Sequence, residues 1–196
     1  MPTDFVLVRH GQTDWNVEHR IQGSTDIPLN DTGVAQATHT RDALRDDDFD
    51  GVASSHLQRA AFTAATINEL HGKQHHIDER LAERVFGTIE GMTVDDVNRI
   101  YGSFDAVADV EWWDNVGVRM MAALEDLSAA YPDGRVLVVS HGSAIRAVLG
   151  AIQGIPPREV KSTLNCGLTQ LRHHDNGRWE ILSFNDNAHL PEALRS

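Results

Sequence analysis

The hydrophobic positions fall into two kinds of run. FVLV at 5–8 and VLVV at 136–139 are short, continuous and rich in β-branched residues, as strands covered on both faces are. Between and beyond them lie TGVAQATHTRDAL, HLQRAAFTAATINEL, VRMMAALEDLSAAY and SAIRAVLGAI, whose lengths and spacing predict helices, and FDGVASS, which predicts another strand. Late in the chain, Asn176-Gly177 marks a hairpin turn between two strands. The alternation predicts an α/β fold: a three-layer αβα sandwich with a mostly parallel central sheet and a late antiparallel strand pair. With 196 residues, no internal repeat and no low-complexity linker, residues 1–196 are expected to form a single domain, with a loop-rich middle.

Composition narrows the function. A formal charge of −12 repels nucleic acid and anionic membrane surfaces, so neither is an expected partner. The beginning, MPTDF, carries no signal-peptide pattern and no apolar run is long enough to span a membrane, so the expected location is the cytoplasm. The lone cysteine, Cys166, has no internal disulfide partner and no basic neighbour in sequence, and reads as packing. A small anionic substrate stays compatible with the charge, provided that a local positive pocket exists.

The two buried-type strands end alike. FVLV leads into Arg9-His10-Gly11 and VLVV into Ser140-His141-Gly142. In α/β sheets, ligands bind beyond the carboxyl ends of strands, where glycine admits close backbone approach and helix N-termini favour anions. If the two strands are neighbours, His10 and His141 flank one phosphoryl-sized group. A third unit, SSHLQRAAFTAA, offers Ser55 as N-cap with Gln58 at capping-box spacing, which puts Arg59 in the first helical turn. Two guanidinium groups, Arg9 and Arg59, suit the oxygens of a dianion. Singly, each residue reads as an ordinary strand-end histidine or surface arginine; it is the recurrence that points to a site.

Four segments, VRHGQTDWN, SSHLQRAAFTA, LAERVFGTIEGM and VVSHGSAIRAVLG, together resemble the histidine phosphatase superfamily, the phosphoglycerate mutase-like proteins, from residue 4 to about 170. The resemblance implies that His10 is the nucleophile and Glu83 the proton donor to the leaving oxygen. It implies phosphate contacts from Arg9, Arg59, His141, Asn16 and Gly142, substrate contacts from Gln22, Gly23 and Arg84, and a lid-like insertion over the site at about 84–118. Arginines and a protonated His141 would then supply the charge that a metal supplies elsewhere, so no metal and no cofactor is expected.

Other features read as structural. The pairs His75-His76 and His173-His174 invite a metal reading, but 173 and 174 lie in an expected strand, where successive side chains point to opposite faces. Trp112 and Trp113 read as core or lid packing. Within the resemblance, a phosphatase is favoured over a mutase, because Met92 to Val118 holds six acids (Asp95, Asp96, Asp105, Asp109, Glu111, Asp114) and one base, Arg99, a poor clamp for a substrate carboxylate. The expected activity is therefore hydrolysis of a small phosphomonoester through a phosphohistidine. A cofactor-dependent mutase, to which Arg84 after Glu83 is similar, and a non-catalytic binding protein are the alternatives, and a homodimer is left open.

Overall fold

A computed structural model describes residues 2–195. Its centre is a six-stranded sheet in the order β3-β2-β4-β1-β5-β6, made of β1 (Thr3–Arg9), β2 (Gly51–Ser54), β3 (His75–Ile77), β4 (Arg135–Ser140), β5 (Leu168–His173) and β6 (Trp179–Asp186). The first four run parallel, while β5 lies antiparallel to both β1 and β6. Side-chain alternation along β1 explains its unbroken apolar run: Phe5 and Leu7 enter one core cluster and Val6 and Val8 the other. Along β4, Val136 and Val138 join the first cluster and Leu137 and Val139 the second. Each face needs its own cover.

The helices supply it from opposite sides. After the one-turn α1 (Asp14–Val17), α2 (Asp31–Ala43) packs with α3 (Gln58–Asn68), whose Ala60, Ala64 and Ile67 cover the second cluster. The helix α5 (Trp113–Ala130) and α6 (Gly142–Gln153) bury Val116, Met120, Ala144 and Val148 in the first. The chain thus leaves β1 toward one face and the adjacent β4 toward the other, which opens a crevice at their carboxyl ends. Close approach at this point constrains Gly11: a Cβ there would lie 2.5 Å from the Gly33 carbonyl oxygen of α2.

Three local expectations change. The helix α3 begins at Gln58 with Leu57 as N-cap, so Ser55 is not the cap; its Oγ accepts from Leu57 N instead. The Asp26 carboxylate, arriving from a distant loop, accepts from Gln58 N at 2.8 Å, a charge-assisted replacement that local spacing does not reveal. The middle also contains a helix, α4 (Val94–Tyr101), where Thr93 Oγ1 accepts from Asp96 N. Trp112 is 68% exposed and is not core, whereas Trp113 packs against the first cluster. Among the described residues no helix is long and apolar enough to cross a membrane.

Candidate active site

At the open end of the sheet, β1 and β4 are in register with Arg9 opposite Ser140, so the next residues, His10 and His141, stand side by side. His10 N donates to Ser140 O, and the imidazole centroids are 5.2 Å apart. The His10 Nδ1 lies 2.6 Å from the Gly11 carbonyl oxygen. A carbonyl only accepts, so the proton sits on Nδ1 and the lone pair on Nε2, which leaves a nucleophilic atom directed away from the backbone. Burial first, and then the charge of Arg59, pushes His10 and His141 well below the ordinary imidazole range. Both rings are neutral in the free site.

The positive charge comes from arginines. Arg9 donates to the Thr163 carbonyl, and the fully buried Arg59 donates to the carbonyls of Thr25 and Gly23 at 2.9 and 2.8 Å. No carboxylate hydrogen-bonds either guanidinium among the described residues. Burial lowers the pKa of each, and Glu83 is the largest opposing influence. Arg9 Nε, Arg59 Nε, Gln22 Oε1, Thr163 Oγ1 and both His141 ring nitrogens are buried without a hydrogen-bond partner among the described residues. Unpaired buried polar atoms cost on the order of 1–3 kcal/mol each, so such a concentration marks a place where a ligand completes the bonding.

Glu83 faces this cluster from the chain following β3. Its Oε1 accepts from Arg84 N at 2.9 Å and Ala144 N at 3.1 Å, and its Oε2 accepts from Ser143 N at 3.2 Å. The carboxyl group thereby caps the N-terminus of α6. Two donors occupy Oε1, while Oε2 keeps a lone pair on which a proton can sit without displacing either. The Gly142 N–H, the first of the helix, is left for another acceptor.

Arg9, His10, Asn16, Gln22, Gly23, Arg59, Glu83 and Gly142 all line one cleft, of about 290 Å³, behind which His141 is fully buried. Asn16 Oδ1 is held by Thr13 and by Asn165 Nδ2, which turns the Asn16 amide nitrogen outward. Gly23 has φ +57, and a Cβ there would meet Glu90 Oε1 at 2.1 Å. That close approach serves the loop: Glu90 accepts from Ser24 and Thr25 and from Phe86 N, fixing the carbonyls that hold Arg59. Arg84 is not part of the cleft. Its guanidinium is bound to Asp105 and the Glu111 carbonyl and lies 4.2 Å from the Trp113 ring centre, so it ties residues 84–118 together.

The chain matches the sequence profile of the histidine phosphatase superfamily, branch 1, over residues 5–187. It belongs to that superfamily. An uncharacterized phosphatase of Bacillus subtilis, PhoE, is 39% identical, with 98% of this chain and 100% of that protein covered. A phosphoglycerate mutase-like protein of Arabidopsis thaliana is 32% identical over 97% of this chain and 88% of its own. Among solved structures, a mycobacterial glucosyl-3-phosphoglycerate phosphatase in complex with VO3 aligns with TM-score 0.86 and 29% identity, covering 94% of this chain and 99% of that one.

The four motifs supplied His10, Arg9, Asn16, Arg59, Glu83 and Gly142 of this cleft, but other residues around it came from the structure. Asn165, whose Nδ2 donates to His10 O at 2.9 Å, sits in a turn without any motif. Thr63 Oγ1 accepts from Gly11 N, and Glu90 acts through a loop. Arg146 did have a signal: it is the one charged residue in α6, GSAIRAVLGAIQ, and an isolated charge on an apolar helix needs a reason. The histidine pairs are engaged singly: His75 with Ser54, His76 with Tyr131, His173 with Ser128 and His174 with Glu180.

Proposed function

We propose that this member of the superfamily is a metal-independent phosphomonoester hydrolase working through a phosphohistidine on His10. The observation that carries the reading is the convergence of two guanidinium groups, Arg9 and Arg59, each with a buried, unpartnered Nε and no carboxylate bound to it among the described residues, on an imidazole whose Nε2 is free, inside a chain of charge −12. Arg9, Arg59, Asn16, the Gly142 N–H and His141 hold the phosphoryl oxygens, and the arriving dianion draws a proton onto His141. His10 Nε2 attacks phosphorus in line as the ester P–O bond breaks. Glu83 delivers its proton from Oε2 to the departing oxygen, releasing the alcohol. Water then attacks the phosphohistidine, Glu83 takes its proton, the P–N bond breaks, and neutral His10 and inorganic phosphate are restored. Fixed cations and helix dipoles supply the charge stabilisation here.

Residues 84–118 act as a lid in this reading. They carry their own apolar cluster, with Ile89, Val97, Val107 and Val110, and present Phe86, Val94 and Phe104 to the cleft. The substrate is a small phosphorylated metabolite, and neither nucleic acid nor membrane is a partner. The phosphatase names of the Bacillus and mycobacterial relatives support hydrolysis. The mutase alternative has the Arabidopsis relative's name in its favour, but the withdrawal of Arg84 onto Asp105 removes the residue that suggested it. Rapid quenching during turnover of 32P-labelled substrate is the deciding experiment. Label on His10 that alkali preserves and acid removes, released as inorganic phosphate, supports the reading; label passed to a phosphoglycerate acceptor supports a mutase, and none on His10 overturns the mechanism.

A further inference from the structure

The phosphate cleft continues into a second compartment. Phe86, Phe104, Ser143 and Arg146 line both, and beyond them the annex is bounded by Trp113, Arg158, Ser103 and the Arg84–Asp105 ion pair. Part of its wall is aromatic: Phe86 and Phe104 meet edge to face with ring centres 5.8 Å apart, and the Arg146 guanidinium lies 5.7 Å from the Trp113 ring centre. The annex has about 270 Å³, nearly the size of the cleft itself. Two compartments joined through Ser143 and Arg146 describe a substrate with two ends.

Arg146 sits at the junction without an ion-paired acid among the described residues, though Glu83 is near enough to oppose the lowering of its pKa by burial. Its Nη2 donates to the Arg158 carbonyl at 3.0 Å, its Nε is buried without a partner, and no acid hydrogen-bonds it among the described residues. Its neighbour Arg84 is different, being neutralised by Asp105. Acids outnumber bases 29 to 17 in this chain, and most surface arginines have found a carboxylate, so an arginine kept apart between two ligand compartments is available for an anion from outside. Direction follows from α6. Ser143 N binds Glu83, the group facing the leaving oxygen, and Arg146 is three residues on, on the same side of the helix. A leaving group that departs past Glu83 meets Arg146 next.

We propose that Arg146 determines specificity by pairing with a second anionic group, carboxylate or phosphate, on the leaving-group side of the substrate, while the Phe86, Phe104 and Trp113 walls hold its carbon skeleton. This rests on the hydrolase reading above and gives it a substrate class. A site built around an unpaired charge discriminates against the analogue that lacks the complementary group, because that analogue leaves the charge desolvated and unpaired.

The test compares matched substrates. For a carboxylate the pair is 3-phosphoglycerate and glycerol 3-phosphate; for a phosphate it is fructose 1,6-bisphosphate and fructose 6-phosphate, with p-nitrophenyl phosphate as a reference. Wild-type protein is expected to favour the anion-bearing member of at least one pair in kcat/KM, and which pair responds identifies the group. Arg146→Ala should reduce that preference by about ten- to a hundredfold, the range for a hydrogen bond to a charged group, with Arg146→Lys retaining part of it. Thermal melts of both variants establish that they fold, and Lys carries the comparison if Ala does not. No preference in wild type for either pair, or an equal loss on both members in the variants, overturns the proposal. Failure of wild type to hydrolyse p-nitrophenyl phosphate and all four metabolites would instead overturn the hydrolase reading. Calorimetric binding of 3-phosphoglycerate against glycerol 3-phosphate, wild type against Arg146→Lys, then decides the role of Arg146 independently.

Discussion

His10 and His141 stand with ring centres 5.2 Å apart at the ends of adjacent parallel strands, one with a single free nitrogen and the other with two. The difference assigns them different work. Gly11 O fixes the tautomer of His10, whereas His141 has no partner among the described residues that would fix its own and can take up a proton when an anion arrives.

Both imidazoles are pushed well below their usual 6.5, by burial above all, so both stay neutral as pH falls through 6.5. The folded pKa values are the depressed ones, and the unfolded chain therefore binds more protons in this range. Stability from this source is complete above about pH 6.5 and is lost as pH falls below it. NMR titration of the free protein should show the two buried rings remaining neutral well below pH 6.5, and saturating inorganic phosphate should raise the His141 midpoint. A His141 resonance titrating at 6.5 in the free protein, unmoved by phosphate, would contradict the arrangement.

Glu83 is both a helix cap and the proposed acid, and the two roles separate by substitution. Glu83→Gln keeps an acceptor oxygen for the α6 N–H groups but no transferable proton. It should fold like wild type yet lose roughly 10²–10⁴ in kcat/KM on alkyl phosphates, and distinctly less on p-nitrophenyl phosphate, whose leaving group needs no proton. Glu83→Ala should in addition melt lower, by about 1 kcal/mol of lost cap. Equal rate losses of Glu83→Gln on both ester types would assign the proton transfer elsewhere.

Arg59 is fully buried, so its removal is not a surface change. Arg59→Ala should lower kcat/KM by ~10²–10³, as loss of a preorganised transition-state donor does. It should also lower the melting temperature, because the carbonyls of Gly23 and Thr25 lose their donor and a cavity opens. Glu90→Ala reaches the same guanidinium indirectly: freeing the loop at Ser24 and Thr25 should raise KM more than it lowers kcat. If Glu90→Ala leaves kinetics unchanged while Arg59→Ala does not, the loop carbonyls do not position the clamp.

Buried polar atoms without partners, among them Arg9 Nε and Arg59 Nε, make the free pocket costly, so an anion that binds the folded state should stabilise it markedly. Phosphate or vanadate at 100 times its dissociation constant adds about 2.7 kcal/mol, visible as a higher melting temperature. The increment should shrink in Arg59→Ala. Turnover should survive exhaustive EDTA; loss on chelation with recovery on adding a divalent ion would refute metal independence.

The alternation of short apolar runs with helical segments determined the α/β architecture, because strands covered on both faces must be apolar at every position, as Phe5 to Val8 are. The turn at Asn176-Gly177 and the four motifs placed His10, Arg59, Glu83 and His141 at element ends, and these are local properties of the chain. What sequence order could not supply was distance. The placement of β4 between β1 and β2 brings two histidines 131 positions apart into contact, and only tertiary hydrogen bonds could reveal that Asp26 caps α3 or that Glu90 steadies the loop around Arg59. The fate of an arginine was the least legible of all. Arg84 follows Glu83 directly yet is drawn away by Asp105, while Arg146, which no acid hydrogen-bonds among the described residues, is left facing the cleft near Glu83. Charge pairing acts between side chains that meet in space, and which ones meet is decided by packing.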